Sequence, residues 1–217
     1  MSADLIRHRV FGQLRTDIMS CNLKPGTEVR EGALAEKYGV SKSPIREALH
    51  RLEFEGLVEI APRQGHRIAP ISVSDAKDIL GLREILEAAA ARQIAAHSSD
   101  EELASLDEYR SCDLSSLKEF ARYNRDFHAR LCNLSGNQRQ ADTMRNLMDN
   151  YERLCIISLS VRQQESKSME RALADHGAII NALQTRDGRK AVRLSTKHIQ
   201  KSHGEVLRGL SNRAVVA

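Results

Sequence analysis

The chain has no tryptophan, and four phenylalanines and four tyrosines hold its aromatic content at 4% of 217 residues. A core with so few rings must be built from leucine, isoleucine and alanine, which suits closely packed helices. No stretch approaches the roughly 18 apolar residues that a membrane-spanning helix needs. The N-terminus has none of the apolar core of a signal peptide, so the expected compartment is the cytoplasm. Cys21, Cys112, Cys132 and Cys155 are scattered with no CxxC pair, which reads as reduced thiols used as small apolar side chains. There is no 20–50 residue repeat. An excess of one charge is also missing. The net charge is +4, with 11 Lys+Arg against 9 Asp+Glu in residues 1–73 and 22 against 20 thereafter. Bulk charge therefore does not mark a nucleic-acid-binding half, and only the placement of charge can.

That placement is found in Glu31–Val58. A short helix with Leu34 and Ala35 inward stops at Gly39, a residue that tolerates positive φ. Val40 enters the turn, Ser41 or Ser43 can cap the next helix, and Pro44 fits its first turn. That helix carries Ile45, Ala48, Leu49 and Leu52 on one side and Lys42, Ser43, Arg46, His50 and Arg51 on the other. Gly56–Ile60 reads as a strand, Pro62–His66 as a hairpin tip, and Arg67–Ala69 as the return. Residues 4–20 form a further helix through Leu5, Ile6, Val10, Leu14 and Ile18. This pattern predicts a winged helix-turn-helix whose second helix enters the DNA major groove. A plain helical hairpin with a solvated basic face is the competing interpretation.

The run Val40–Leu49, followed by Leu52 and Glu55–Val58, closely resembles the DNA-binding domain of GntR-type bacterial regulators, and Leu23–Thr27 matches the loop after that domain's first helix. The resemblance implies DNA contacts from Ser41, Lys42, Ser43, Pro44, Arg46 and Arg51, and from Gly65 and His66 on the wing. Lys42 stands where the family usually has arginine. Lysine reaches guanine or phosphate without the bidentate fork.

After Ser74, the expected cap of the next segment, the pattern is helical throughout, over 75–97, 101–111, 115–135, 138–163, 168–186 and 188–209. The expectation is an antiparallel all-α bundle of about six helices over residues 74–217, behind an N-terminal domain of residues 1–73. Polar residues interrupt the inward stripes: Arg83, then Asn124 and His128 four apart on one helix, then His176, then His198. Each costs about 1–3 kcal/mol or more if buried unpaired, so four helices carrying such groups suggest one shared polar cavity. Three histidines and an oxygen donor suit a borderline divalent metal such as zinc or nickel, while hydrogen-bonded core histidines are the bland alternative.

Asn124–Leu131, Asn133–Asn137, Leu82–Glu87 and Asp175–Ile179 look like the motifs of the FCD ligand-binding domain in the FadR branch of GntR regulators, in the right order. Six helices resemble the shorter VanR-type subgroup. The resemblance implies Asn124, His128, His176 and His198 as metal ligands, with Asn124 replacing the common aspartate, and a carboxylate effector on the metal. Arg83 is the candidate clamp for that effector, against an internal salt bridge to Glu87; Arg153 and Arg162 are more simply solvated. The expected function is a homodimeric, non-enzymatic repressor that binds a palindromic operator under control of a small organic acid. The alternatives are a regulator sensing the ion itself and a metal-dependent hydrolase, for which Asp126 and Asp175 are the nearest carboxylates.

Overall fold

The computed structural model describes residues 3–61, 65–160 and 165–211. It divides into two compact units, one ending at Ser72 and one beginning at Val73. Of the expected hairpin tip Pro62–His66, Gly65 and His66 already belong to a strand, while residues 62–64, like Arg162, lie outside the described residues.

The first unit holds α1 (Ala3–Met19), β1 (Glu28–Val29), α2 (Glu31–Tyr38), α3 (Lys42–Phe54), β2 (Val58–Ala61) and β3 (Gly65–Ile68). Val10, Leu14 and Ile18 of α1, Leu34 of α2 and Ile45, Leu49 and Leu52 of α3 form its buried aliphatic core. Gly39 ends α2 at φ 63°, and its N–H donates to the Ala35 and Glu36 carbonyls. Val40 N–H also donates to Ala35 O at 3.0 Å, turning the chain directly into α3. Ser41 has the extended backbone of a cap, but its side chain makes no capping hydrogen bond. The expected serine cap is therefore one of position only.

β3 lies between β1 and β2, antiparallel to both. The two-residue strand β1 went unseen in the sequence because it is too short to alternate. Its partner requires a glycine: Gly65 sits at φ 100°, and a Cβ there would stand 3.2 Å from Val29 O.

The second unit contains α4 (Val73–His97), α5 (Asp100–Ala104), a 3₁₀ helix (Ser105–Arg110), α6 (Leu117–Leu134), α7 (Gln138–Leu159), α8 (Glu165–Gln184) and α9 (Gly188–Ser211). These are the six expected α-helices, with two corrections. Ser74 lies inside α4 instead of capping it. The single helix expected over 101–111 tightens at Ser105, because the Gln184 amide takes the Leu103 carbonyl at 3.1 Å and Ser105 Oγ takes Glu102 O at 2.7 Å. Those acceptors are thereby drawn out of a regular α ladder. The backbones of α7 and α9 touch: a Cβ on Gly209 would lie 2.6 Å from Ser158 O. Among the described residues, no helix is long and apolar enough to cross a membrane.

Asp17 ties α1 to α2, accepting from Lys37 Nζ at 2.6 Å, Tyr38 Oη at 2.8 Å and Asn22 Nδ2 at 3.2 Å. Burial alone would raise its pKa, but these donors pull the carboxyl below its ordinary value. A depressed pKa means stabilisation that is present above the ordinary aspartate range and lost as pH falls through the folded value. Asp17→Asn should therefore lower the melting temperature at neutral pH. In a pH series of melts, its gap from wild type should close as the carboxylate range is crossed downward.

Candidate functional site

Two clusters of functional side chains stand out, one in each unit. On α3, Lys42, Ser43 and Arg46 are exposed. Arg46 is held in a fork by Glu31 at the start of α2, Nε to Oε1 at 2.9 Å and Nη2 to Oε2 at 2.8 Å. Hydrogen bonds to Arg46 draw the Glu31 carboxyl below its usual value, and Glu31 raises the arginine in turn. Three expected contact residues are placed otherwise. Pro44 is buried in the first turn of α3. Arg51 lays its guanidinium on the Phe11 ring, 3.8 Å from the centroid, fastening α3 to α1. His66 is 8% exposed and turned inward, edge-on to His50, while Gly65 beside it is exposed. Alternation along β3 puts adjacent residues on opposite faces, so the exposed position is Gly65 and the His66 ring faces inward.

The second cluster lies inside the helical unit. His128 on α6, His176 on α8 and His198 on α9 are all at most 2% exposed, and one nitrogen of each lies within 4.8 Å of the other two. Each ring is gripped at Nδ1. His128 Nδ1 is 2.9 Å from Glu87 Oε1. His198 Nδ1 is 3.5 Å from Asp175 Oδ2. Tyr123 Oη donates its proton to Tyr109 O at 2.8 Å, so at 2.9 Å it can only accept from His176 Nδ1. The Tyr123 contact therefore puts the His176 hydrogen on Nδ1 and leaves its Nε2 lone pair; Glu87 stands close to His128 Nδ1 without hydrogen-bond geometry.

The Nε2 atoms converge. His176 Nε2 and His198 Nε2 face each other at 3.2 Å, with donor and acceptor set by the His198 tautomer, and His128 Nε2 receives an N–H from Arg83 Nη2. Burial pushes His128 down to about 3 and His176 well below its ordinary value, so these rings are neutral near neutral pH and each keeps one nitrogen lone pair that a cation could take. Nitrogens on a tetrahedral zinc at about 2.0–2.1 Å are roughly 3.3 Å apart, close to the observed spacing. The triad could therefore hold an ion.

Arg83 is fully buried, and its Nε donates to Glu87 Oε1 at 2.6 Å. The internal ion pair is thus the arrangement present. Its guanidinium also lies over Tyr151, 4.7 Å from the ring centroid, and Nη1 has no partner. Burial would raise Glu87, but His128 and Arg83 outweigh it and hold the carboxyl far below the carboxylate range. Asn124, one turn before His128, is buried at 4% and makes no hydrogen bond among the described residues; its Nδ2 is unpartnered. Arg153, expected on the surface, is buried. Both carboxylates considered as bases are occupied, Asp126 by Arg125 and Asp175 by Lys201.

The FCD domain model matches residues 78–201, more than half of the chain and all of the histidine cluster. The model for bacterial regulatory proteins of the gntR family matches residues 6–68. The chain belongs to the GntR family of regulators that carry an FCD domain. It is similar to the HTH-type transcriptional repressor RspR of Escherichia coli K12, 28% identical over 201 residues, covering 90% of this chain and 86% of that one. It is also similar to the repressor GlaR of the same strain, 27% identical over 195 residues and 86% and 89% of the two chains. The solved E. coli McbR/YncC superposes with TM-score 0.76 at 20% identity, over 98% of this chain and 100% of that one. A GntR regulator from Rhodococcus sp. RHA1 gives 0.78 at 18%, over 93% and 97%. These two share the fold. The GntR-family chain is a transcriptional regulator and not an enzyme.

The residues that the sequence left unmarked in this regulator are Glu31, Tyr123 and Tyr151, and Glu87 entered only as a possible partner of Arg83. Glu87 carried a signal, a carboxylate four residues after an inward arginine; Tyr123 carried none. Tyr123→Phe should lower divalent-ion affinity about 10–100-fold, because His176 loses its Nδ1 anchor. Competition calorimetry with a chelator would measure this. Unchanged affinity would mean that the tyrosine does not orient the ligand.

Proposed function

We propose that the protein is a homodimeric repressor. It binds a palindromic operator through α3 and releases it when a small organic acid binds beside a divalent cation in the helical unit. The buried triad carries the cation part: one nitrogen each of His128, His176 and His198 lie within 4.8 Å of one another, a spacing that one positive ion could bridge. Three imidazoles favour zinc or nickel, with the Asn124 amide oxygen as an additional donor. The cation would supply a Lewis-acidic anchor for an anionic group. The buried, unpartnered Nη1 of Arg83 supports that arginine as a second anchor for the same group.

The DNA part rests on Lys42, Ser43 and Arg46, exposed at the start of α3, and on Gly65 at the wing. Because Glu31 occupies Nε and one Nη of Arg46, the guanidinium is fixed in plane, with its outer edge free for a base. Phosphate contacts from Lys42 and its neighbours would provide the salt-dependent part of affinity. Leu82 and Ile85, 40% and 67% exposed on α4, are apolar positions that a second copy would cover. Effector binding would alter the spacing of the two DNA-binding units across that dimer. In favour of the metal-sensing alternative, Arg83 Nη2 occupies the lone pair of His128 that an ion would need, so the ion alone must displace it.

Arg46→Ala should abolish binding to DNA selected by the wild-type protein from a random pool, with the fold intact by circular dichroism. Glu31→Gln should keep its affinity for scrambled DNA while discrimination falls roughly tenfold. Fluorescence anisotropy at two salt concentrations separates the two effects, and retained specific binding by Arg46→Ala would refute the recognition-helix assignment.

A further inference from the structure

We propose that the acid recognised by this protein is a dianion, whose second anionic group, a carboxylate or a phosphoryl group, is held by Arg171 and Arg208. This rests on the organic-acid reading of the histidine site and names the chemical class of its ligand.

A cleft of about 340 Å³ lies between α8 and α9, with Arg171, Asp175, His198, Lys201, Ser202 and Arg208 in its wall. His198 belongs to the triad, so one wall of the cleft is shared with the cation site. Its charges are unevenly matched. The Asp175 carboxylate is already shared by Lys201, at 3.0 and 2.9 Å, and by His198. Arg171 and Arg208 are exposed, and neither forms an ion pair among the described residues. Arg171 spends Nε on the Lys167 carbonyl of its own helix at 2.9 Å, which leaves its terminal N–H groups free. Glu205 also lines the cleft, so three cations stand against two carboxylates there.

A separate chamber of about 30 Å³, room for about one water, lies behind the shared wall of Ser168, Ala172, Ser202 and Glu205 and is bounded by Asn124 and Tyr151. Ser168 is 5% exposed and its hydroxyl has no partner, and the Asn124 amide nitrogen is likewise unsatisfied. The cleft thus has two unpaired guanidiniums in one part of its wall and a histidine of the triad in another, with unsatisfied neutral donors in the chamber behind it. Burying unmade donors is costly unless a ligand meets them, and guanidiniums select planar or tetrahedral oxyanions. A monoacid would satisfy only the histidine part. A molecule with an anion at each end would satisfy both parts and offset the positive charge of the guanidiniums.

The test uses full-length, zinc-loaded protein in calorimetry and thermal-shift assays. Butyrate, pentanoate and hexanoate are matched against succinate, glutarate and adipate, and phosphoglycolate separates a phosphoryl from a carboxylate second group. At least one dianion should bind about tenfold tighter than its matched monoacid. Arg171→Gln and Arg208→Gln should erase that preference while leaving monoacid affinity and the ligand-free melting temperature unchanged. Equal binding of mono- and diacids, or a preference that survives both variants, overturns the dianion assignment and leaves the organic-acid reading standing. Binding of neither class overturns both.

Discussion

Glu87 is the residue on which the polar centre of the helical unit depends. One fully buried carboxylate accepts from Arg83 Nε at 2.6 Å and from Ser195 Oγ at 3.0 Å, and lies 2.9 Å from His128 Nδ1. It joins α4, α6 and α9 through groups that would each be expensive to bury alone. Removing one partner of such a buried pair typically costs about 3–5 kcal/mol, because the other charge is left without compensation. Glu87 therefore stabilises the bundle and holds negative charge beside the site with the same contacts. Tyr123 orients His176 through its Nδ1, and Asp175 stands 3.5 Å from His198 Nδ1.

A carboxylate holding an arginine recurs in the DNA-binding unit, with the opposite consequence. Arg83 and Glu87 are wholly buried, so their pair is structural as well as functional. In the Glu31–Arg46 pair the arginine side chain is 59% exposed. Solvent and salt screen it, so it contributes little to stability. What it provides is order: a long side chain on the exposed face of α3 keeps one orientation, which in the proposed DNA contact would lower the entropic cost of recognition.

Much of this was legible in the sequence where local pattern and tertiary outcome agree. Gly39 ends a helix because only a permissive backbone turns there, and Ile45, Ala48, Leu49 and Leu52 mark the inner face of α3 by spacing alone. The inward positions of Arg83, Asn124, His128, His176 and His198 were likewise visible as polar residues in apolar stripes, and all five are buried. What stayed hidden depends on partners distant in sequence. The 3₁₀ segment after α5 follows from Gln184, some eighty residues away, capturing a carbonyl. Arg51 is drawn onto Phe11 of another helix, and the inward turn of His66 follows from the β1–β3–β2 register. Tyr123 lies beside the inward stripe of α6, and only the packing of α8 brings His176 to its hydroxyl.

The central claim is that three buried, neutral imidazoles converge on a place that a divalent cation fills. The most direct measurement is calorimetric titration of chelator-stripped protein with zinc, alongside His176→Ala. The account predicts one ion per chain for the wild type, a melting temperature that rises with the ion, and loss of both in the variant. A wild-type chain that binds no ion, or a variant that binds it equally well, would contradict it.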